Sequence, residues 1–313
     1  MQAPVLLSGI PQRSAVATDQ LTVRNILLAT DFSDCSARAL NYALGIASRY
    51  QSLLHLFHCI NPMPYDFVGP DAVQMACDDA RRDLDELVSD LRRQGRAKDV
   101  KVNPVVEAGD LAAILSQAVK DRGLDLIVVG THGRTGWRKL VLGSVAEAVV
   151  DHVSCPVLCV GPSANRTRIQ EFGPKNILFA SNASARSQLA ESYAVSLARK
   201  YGSRLTIVDV REERAGRVLA QVCQLECYEP GLKDNILDQP LPGALQLPTE
   251  IGAQSDLILH AAAQTTADLM VLAVPETHRF TDRLVSTSSY TVVCGAPCPV
   301  LTVRAQSEPG SGE

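Results

Sequence analysis

Asp125-Leu-Ile-Val-Val-Gly-Thr-His-Gly133 runs into Arg-Thr-Gly-Trp-Arg-Lys-Leu-Val-Leu and then Gly143-Ser144. The apolar residues 126–129 read as a strand covered on both faces of a parallel sheet. Residues Val145–His152 read as a short helix. A strand thus enters a glycine-punctuated loop, and a further glycine opens a helix. Glycines let main-chain N–H groups come close to an anion, and the amino end of a helix favours negative charge. This is the pattern of a phosphate-holding loop in an α/β domain.

The chain contains this unit twice. Asn25-Ile-Leu-Leu-Ala-Thr-Asp-Phe-Ser33 returns as Asn176-Ile-Leu-Phe-Ala-Ser-Asn-Ala-Ser184. Tyr42-Ala43, Ala47 and Tyr50 return as Tyr193-Ala194, Ala198 and Tyr201. Asp125-Leu-Ile-Val-Val matches Asp268-Leu-Met-Val-Leu, and Cys155-Pro-Val-Leu matches Cys298-Pro-Val-Leu. The pattern is a duplicated domain rather than a short-period solenoid. Residues 22–162 form the first domain, 163–175 the linker and 176–305 the second domain.

Strand and helix patterns alternate in the first unit. Strands are expected at 26–29, 53–60, 100–107, 126–129 and 156–160, with helices at 36–50, 70–94, 111–122 and 145–152. Alternation of this kind gives a parallel sheet with helices on both faces. Ligands then bind beyond the carboxyl ends of the strands, where the strand order reverses. The second unit departs from the pattern over 212–250, where Pro230, Pro240, Pro242 and Pro248 would interrupt a helix. Irregular backbone is expected over Tyr228–Pro248.

Composition narrows the function classes. Apolar residues are 46% and charged residues 20%, as in globular domains, and 313 residues suffice for two of them. A net charge of −4 argues against nucleic acid or an anionic membrane as principal partner. No run approaches the roughly 18 apolar residues of a membrane span. Residues 1–20 read as a loose tail with too short an apolar run for a secretion signal, and 306–313 as a polar tail. Nine cysteines, an odd number in a chain this long, fit a reducing, cytoplasmic setting. Pairs four apart occur at Cys155/Cys159, Cys223/Cys227 and Cys294/Cys298. They lack neighbouring histidines at zinc-ligand spacing and read as buried free thiols.

The candidate residues each carry two readings. Asp31, after Ala29-Thr30, is either a ligand for an adenine or ribose or a helix cap. Gly130 and Gly133 either present amides to a ligand or serve a tight turn that needs positive φ. Ser144 heads Ser144-Val-Ala-Glu147, a capping-box pattern, and its hydroxyl could also donate to a phosphate. His132 has no assignable nucleophile or carboxylate partner, which favours ligand packing over base catalysis. Arg134, Arg138 and Lys139 either reach phosphates or form a solvated face. Trp137 either covers the site or meets another subunit. No P-loop is present, and Gly130–Gly136 follows the wrong strand for a dinucleotide fingerprint.

Gly130, Gly133, Gly143 and Ser144 satisfy Gly-x2-Gly-x9-Gly-Ser, and in this the chain resembles the ATP-binding universal stress proteins. Ala-Thr-Asp-Phe-Ser at 29–33, His58-Cys-Ile and Cys-Pro-Val-Leu also resemble that family. The resemblance implies two tandem α/β domains of adenine nucleotide alpha hydrolase-like fold. Each would be a five-stranded parallel sheet of order 3-2-1-4-5 flanked by helices. It implies ATP as ligand, with Mg²⁺ admissible. Asp31, beside Ala29 and Thr30, would meet the adenine or ribose, and the backbone at Cys59 would border the adenine. Val129, Gly130, His132, Gly133 and Arg134 would line the ribose and phosphates, and Gly143, Ser144 and Val145 would hold the phosphates. It further implies that Pro156–Val160 and Pro299–Val303 pair antiparallel as an intrachain pseudo-dimer, and leaves room for a homodimer.

The second unit replaces Asp31 by Asn182, Gly130 by Ala273, Gly133 by Glu276 and Gly143 by Ser286. Glu276 would add repulsion where a phosphate should sit. Nucleotide is therefore expected in the first domain alone. Three functions compete: an ATP-binding stress or regulatory protein, a slow ATPase or phosphoryl- or nucleotidyl-transfer enzyme, and a nucleotide-free scaffold.

Overall fold

The computed structural model describes residues 21–62, 70–132, 142–164, 173–181, 187–212, 218–226, 254–274 and 288–304. The two tails, most of the linker and the segment Tyr228–Pro248 lie outside the described residues.

The first unit runs β1 (Asn25–Ala29), α1 (Asp34–Tyr50), β2 (Leu53–Ile60), α2 (Pro70–Arg93), β3 (Lys101–Ala108), α3 (Leu111–Asp121), β4 (Leu126–Gly130), α4 (Ser144–His152) and β5 (Val157–Val160). The second runs β6 (Asn176–Ser181), α5 (Gln188–Tyr201), β7 (Arg204–Glu212), β8 (Val218–Glu226), α6 (Gln254–Gln264), β9 (Leu269–Val274), α7 (Ser288–Gly295) and β10 (Val300–Arg304).

Local chemistry sets the helix ends. Ser33, in extended conformation, accepts from the Ser36 N–H at 3.2 Å and caps α1, with Asp34 in its first turn and Arg49 in its last. Gln51 closes α1 in the left-handed region at φ 58°, and Gly202 closes α5 at φ 65°. Ala39, Leu40, Ala43, Leu44 and Ala47 recur at helical spacing on α1 and are buried. Asp110 caps α3 by accepting from the Ala113 N–H at 2.9 Å.

The strands form one ten-stranded sheet in the order β3-β2-β1-β4-β5-β10-β9-β6-β7-β8. The first unit is parallel throughout, in the expected order 3-2-1-4-5. β5 and β10 meet antiparallel at the centre, with Leu158 opposite Leu301. One helical layer, α1, α2 and α5, covers Ile26, Leu28, Phe179 and Val271. The other, α3, α4, α6 and α7, covers Leu27, Ile127, Met270 and Val300. Both cores draw on both units, so apolar burial continues across the β5–β10 seam.

The second unit corrects one expectation: its sheet is not wholly parallel. β8 pairs antiparallel with β7, from Arg204 opposite Glu226 to Glu212 opposite Val218. The reason is the length of the connection. Only residues 213–217 separate the two strands, whereas a parallel return needs a crossover of about a dozen residues. β8 thus lies beside β7 where β3 lies beside β2 in the first unit.

The amino ends of the strands are built alike in both halves. Oδ2 of Asp125 accepts from the N–H groups of Arg24 and Asn25 at 2.7 and 2.9 Å. Oδ2 of Asp268 accepts from Lys175 and Asn176 at 2.8 and 3.0 Å. At the same end, Tyr50 and Tyr201 meet edge to face at 6.4 Å across the two halves. Arg49 lies over the Tyr201 ring and Lys200 over the Tyr50 ring, a reciprocal cation–π pair.

Candidate functional site

The carboxyl ends of β1 and β4 lie side by side, with Ala29 opposite Val129 in register. β1 continues its chain toward β2 and β4 toward β5, so the strand order reverses between them. Asp31 follows the end of β1, and Gly130, Thr131 and His132 form or follow the end of β4, so all four stand at this reversal, where such sheets bind ligands.

The β1–α1 corner is tightly bonded. The Thr30 N–H donates to the Phe57 carbonyl at 2.8 Å. The Thr30 hydroxyl donates to Ser36 Oγ at 3.1 Å and accepts from the Phe32 N–H at 3.1 Å. Asp31 Oδ1 accepts from the Ser33 N–H at 3.0 Å, which holds the carboxylate at the edge of the crevice. Burial pushes the Asp31 carboxyl up, but the hydrogen bonds from Ser33 and Ser36 outweigh it and bring it below the ordinary value of 3.8. The cap reading of Asp31 is corrected: Ser33 caps α1.

Phe32 sits at φ 61°, a left-handed conformation that is costly for a bulky residue. Its ring packs against His58 at 4.9 Å. Nδ1 of His58 donates to the Thr30 carbonyl at 2.7 Å, which fixes the ring. Cys59 follows at the end of β2, half-buried, with Sγ 3.6 Å from the Gly109 carbonyl. Burial first, then the charges of Glu107 and Asp110, push its thiol up to about 11, so it remains protonated at neutral pH.

Gly130 ends β4 without positive φ, which corrects the tight-turn reading. A Cβ there would lie 2.9 Å from the Cys35 carbonyl carbon and 3.0 Å from the Ser36 nitrogen. The residue is glycine because the first turn of α1 presses on β4. In the second unit this position is Ala273, within β9. Asp34, the first residue of α1, corresponds to Ala185 by the repeat, yet α5 starts at Gln188, and no side-chain hydrogen bond caps it.

The loop after β4 closes on itself. The Thr131 N–H donates to the Val160 carbonyl at 3.0 Å, and the Thr131 carbonyl accepts from the Gly143 N–H at 2.7 Å. The contact sets the start of α4 beside the end of β4. Gly143, at φ −65° and ψ 147°, is the N-cap and has no side chain with which to cap the helix. The capping-box reading of Ser144 is therefore corrected. Gly143 is held extended by the Thr131 contact, which leaves Ser144 as the first helical residue, exposed, with Val145 next. Nδ1 of His132 is 2.9 Å from the Thr131 hydroxyl, while its Nε2 is buried with no hydrogen-bond partner among the described residues. Gly133, Arg134, Trp137, Arg138 and Lys139 lie outside the described residues, as do Asn182, Glu276 and Ser286.

Sequence reasoning missed two contributors. Phe32 carried no periodic signal, and its backbone strain is visible only in three dimensions. Tyr290 of α7 reaches the main chain of Leu142 beside Gly143 at 3.0 Å, across the two units. Among the described residues no group of three or more His, Cys, Asp or Glu side chains is placed to hold a metal ion. No described helix is long and apolar enough to cross a membrane. The seven cysteines with described side chains are free thiols, five of them buried. Cys223 and Cys227 fall outside these.

The sequence model of the universal stress protein family matches residues 22–161 and again 173–304. Universal stress protein MJ0531 of Methanocaldococcus jannaschii is 28% identical over 150 residues, which is 47% of this chain and 87% of that protein. Universal stress protein YxiE of Bacillus subtilis is 28% identical over 152 residues, covering 43% of this chain and 97% of its own. Two solved structures resemble nearly the whole chain in fold. A universal stress protein from Archaeoglobus fulgidus superposes with a TM-score of 0.65 at 18% identity, over 91% of this chain and 97% of that one. The protein PA1789 of Pseudomonas aeruginosa, described as functionally unknown, gives 0.57 at 18% identity, over 90% and 93%. Two matches of the family, one to each half, establish that this chain is a tandem member of the universal stress protein family.

Proposed function

We propose that the chain is an ATP-binding regulatory protein of the stress response in which the first unit alone holds the nucleotide. One observation carries the reading. The Thr131–Gly143 contact sets the amino end of α4, whose N-cap is a glycine, beside the end of β4 at the strand reversal. A phosphate there would accept from the first-turn amides of α4. Val129, Gly130, His132 and Gly133 would line the ribose and phosphates, with Gly143, Ser144 and Val145 on the phosphates and Arg134 within reach. Ala29, Thr30 and Asp31 would meet the adenine or ribose, and the Cys59 backbone would border the adenine. Mg²⁺ bound with ATP would neutralise phosphate charge.

The groups present favour binding over turnover. His132 is oriented by a hydroxyl rather than a carboxylate, a weak arrangement for a general base. The second unit serves as a structural partner through the β5–β10 pairing, which makes the chain a pseudo-dimer of its own halves. The free thiols suit a reducing, cytoplasmic setting.

Titration calorimetry with ATP tests the reading. One site per chain is expected. Two sites, or none with folded protein at millimolar ATP, would sink it. Steady release of ADP that is lost on Gly143→Asp would favour the slow ATPase instead.

A further inference from the structure

The second unit holds α4 at both of its ends. At the amino end, the N–H of Leu142, one residue before the N-cap Gly143, donates to the Tyr290 hydroxyl of α7 at 3.0 Å. At the carboxyl end, the guanidinium of Arg304 donates to two carbonyls. Its Nε meets that of the C-cap Val153 at 3.0 Å, and a terminal nitrogen meets that of Val150. Arg304 is the last residue of β10, in register with Val274 of β9. A cation anchored in the sheet thus stands where the helix presents its open carbonyls and the negative end of its dipole.

The length of α4 gives these contacts their weight. It has nine residues, below the roughly 12–15 at which a helix holds its shape unaided in water. Its order and direction therefore come from its neighbours. α3 supplies one contact, from the Ser116 hydroxyl to the His152 carbonyl at 3.1 Å. The second unit supplies those at both ends. The contact at the carboxyl end also runs one way. By the match of Cys155-Pro-Val-Leu to Cys298-Pro-Val-Leu, Gly161 stands where the second unit has Arg304. Gly161 has no side chain with which to hold α7 in return.

We propose that Tyr290 and Arg304 are positioning residues for the nucleotide seat, through which the second unit sets the affinity of the first for ATP. The proposal rests on the ATP reading of that seat and adds its regulation. Each residue acts through α4, by fixing one end of the helix whose first-turn amides meet the phosphates. Coupling of this kind is reciprocal. ATP in the first unit tightens the union of the two halves, and whatever loosens that union weakens the hold on ATP.

ATP titration by calorimetry and amide hydrogen exchange, both on the full chain well below its melting temperature, test this. Arg304→Gln weakens ATP binding about fivefold and, without nucleotide, speeds exchange across α4. Arg304→Lys keeps a cation at the helix end and recovers most of the loss. Arg304→Gln combined with Tyr290→Phe weakens ATP about 25-fold, because contacts at opposite ends of a helix about 13 Å long add. Val271→Ala opens a cavity in the core on the other face of the sheet from α4. It lowers the melting temperature and leaves ATP affinity unchanged. Wild-type protein that binds no ATP overturns the nucleotide reading and the proposal with it. Wild type that binds, with Arg304→Gln binding equally well or exchanging no faster across α4, overturns the proposal alone. So does an equal loss of affinity in Val271→Ala, since ATP would then follow overall stability rather than the placing of α4. Where Arg304→Gln fails to fold, the affinity and exchange of Tyr290→Phe decide.

Discussion

The hydroxyl of Tyr290, in the second unit, accepts a hydrogen bond from the main-chain N–H of Leu142, in the first, at 3.0 Å. Leu142 directly precedes Gly143, whose own N–H is spent on the Thr131 carbonyl. The second unit therefore fixes the entry to α4, and with it the direction of that helix's first-turn amides. Burial raises the Tyr290 phenol, so it stays neutral and available as an acceptor. Removal of the contact by Tyr290→Phe is expected to weaken ATP binding about fivefold, the worth of one hydrogen bond. The melting temperature should fall by about 3 °C or less. Calorimetry on wild type and variant checks this, and an unchanged ATP affinity would sever the second unit from the site.

Gly143→Asp should separate stability from binding. Gly143 has a φ of −65°, which any residue adopts, so an aspartate brings no backbone strain. It would cap α4 and add a negative charge to the amino end, a gain of about 0.5 kcal/mol. The same charge repels phosphate, and ATP affinity should fall tenfold or more. Urea unfolding and ATP titration should therefore move in opposite directions. Loss of both together would mean that the variant damages the fold.

Gly130→Ala tests a packing claim. The new Cβ would meet backbone atoms of Cys35 and Ser36, which cannot rotate aside. A destabilisation of about 1–3 kcal/mol is expected, measured by denaturant unfolding without nucleotide. Ala273→Gly, at the equivalent position of the second unit, has no such clash to relieve in the first and should leave α1 unaffected. A fully stable Gly130→Ala protein would show that the approach of α1 to β4 is looser than described.

Asp31 should contribute to acid sensitivity. Its folded carboxyl titrates below 3.8, the value taken for the unfolded chain, because hydrogen bonds from Ser33 and Ser36 overcome the opposing effect of burial. A depressed carboxyl adds stability above the unfolded value and loses it as the pH falls through the folded one. Asp31→Asn should thus be less stable at neutral pH, with a flatter loss of stability below about pH 4. Denaturation profiles across that range give the answer, and parallel curves for the two proteins would rule this contribution out.

The fold was legible where burial imposes a period. Ile26, Leu27 and Leu28 are apolar in succession because helices cover both faces of β1, and α1 shows its buried face every three to four residues. β8 was not legible. Its antiparallel pairing is decided by the short spacing between β7 and β8, whereas the prolines, from Pro230 onward, lie beyond it. At the candidate site the glycine spacing was informative, but its causes were mixed. Gly130 answers to the packing of α1, while Gly143 stands as the N-cap of α4. The Ser144-x-x-Glu147 pattern misled because a cap depends on which residue stays extended. Here a contact from Thr131, distant in sequence, decides that it is Gly143. Tyr290 was invisible for the same reason: its partner lies 148 positions away.

The antiparallel meeting of β5 and β10 joins two halves written in separate stretches of one gene. In an assembly of identical subunits, each substitution appears on both sides of the axis at once. Here a change in one half leaves the other untouched. The Asp125 and Asp268 locks are matched, while Gly130 stands opposite Ala273 in the repeat and only residues 213–217 separate β7 from β8, where the whole of α2 separates β2 from β3. Fusion has released the two halves from symmetry, so that one can specialise while its sibling remains the surface on which it is built.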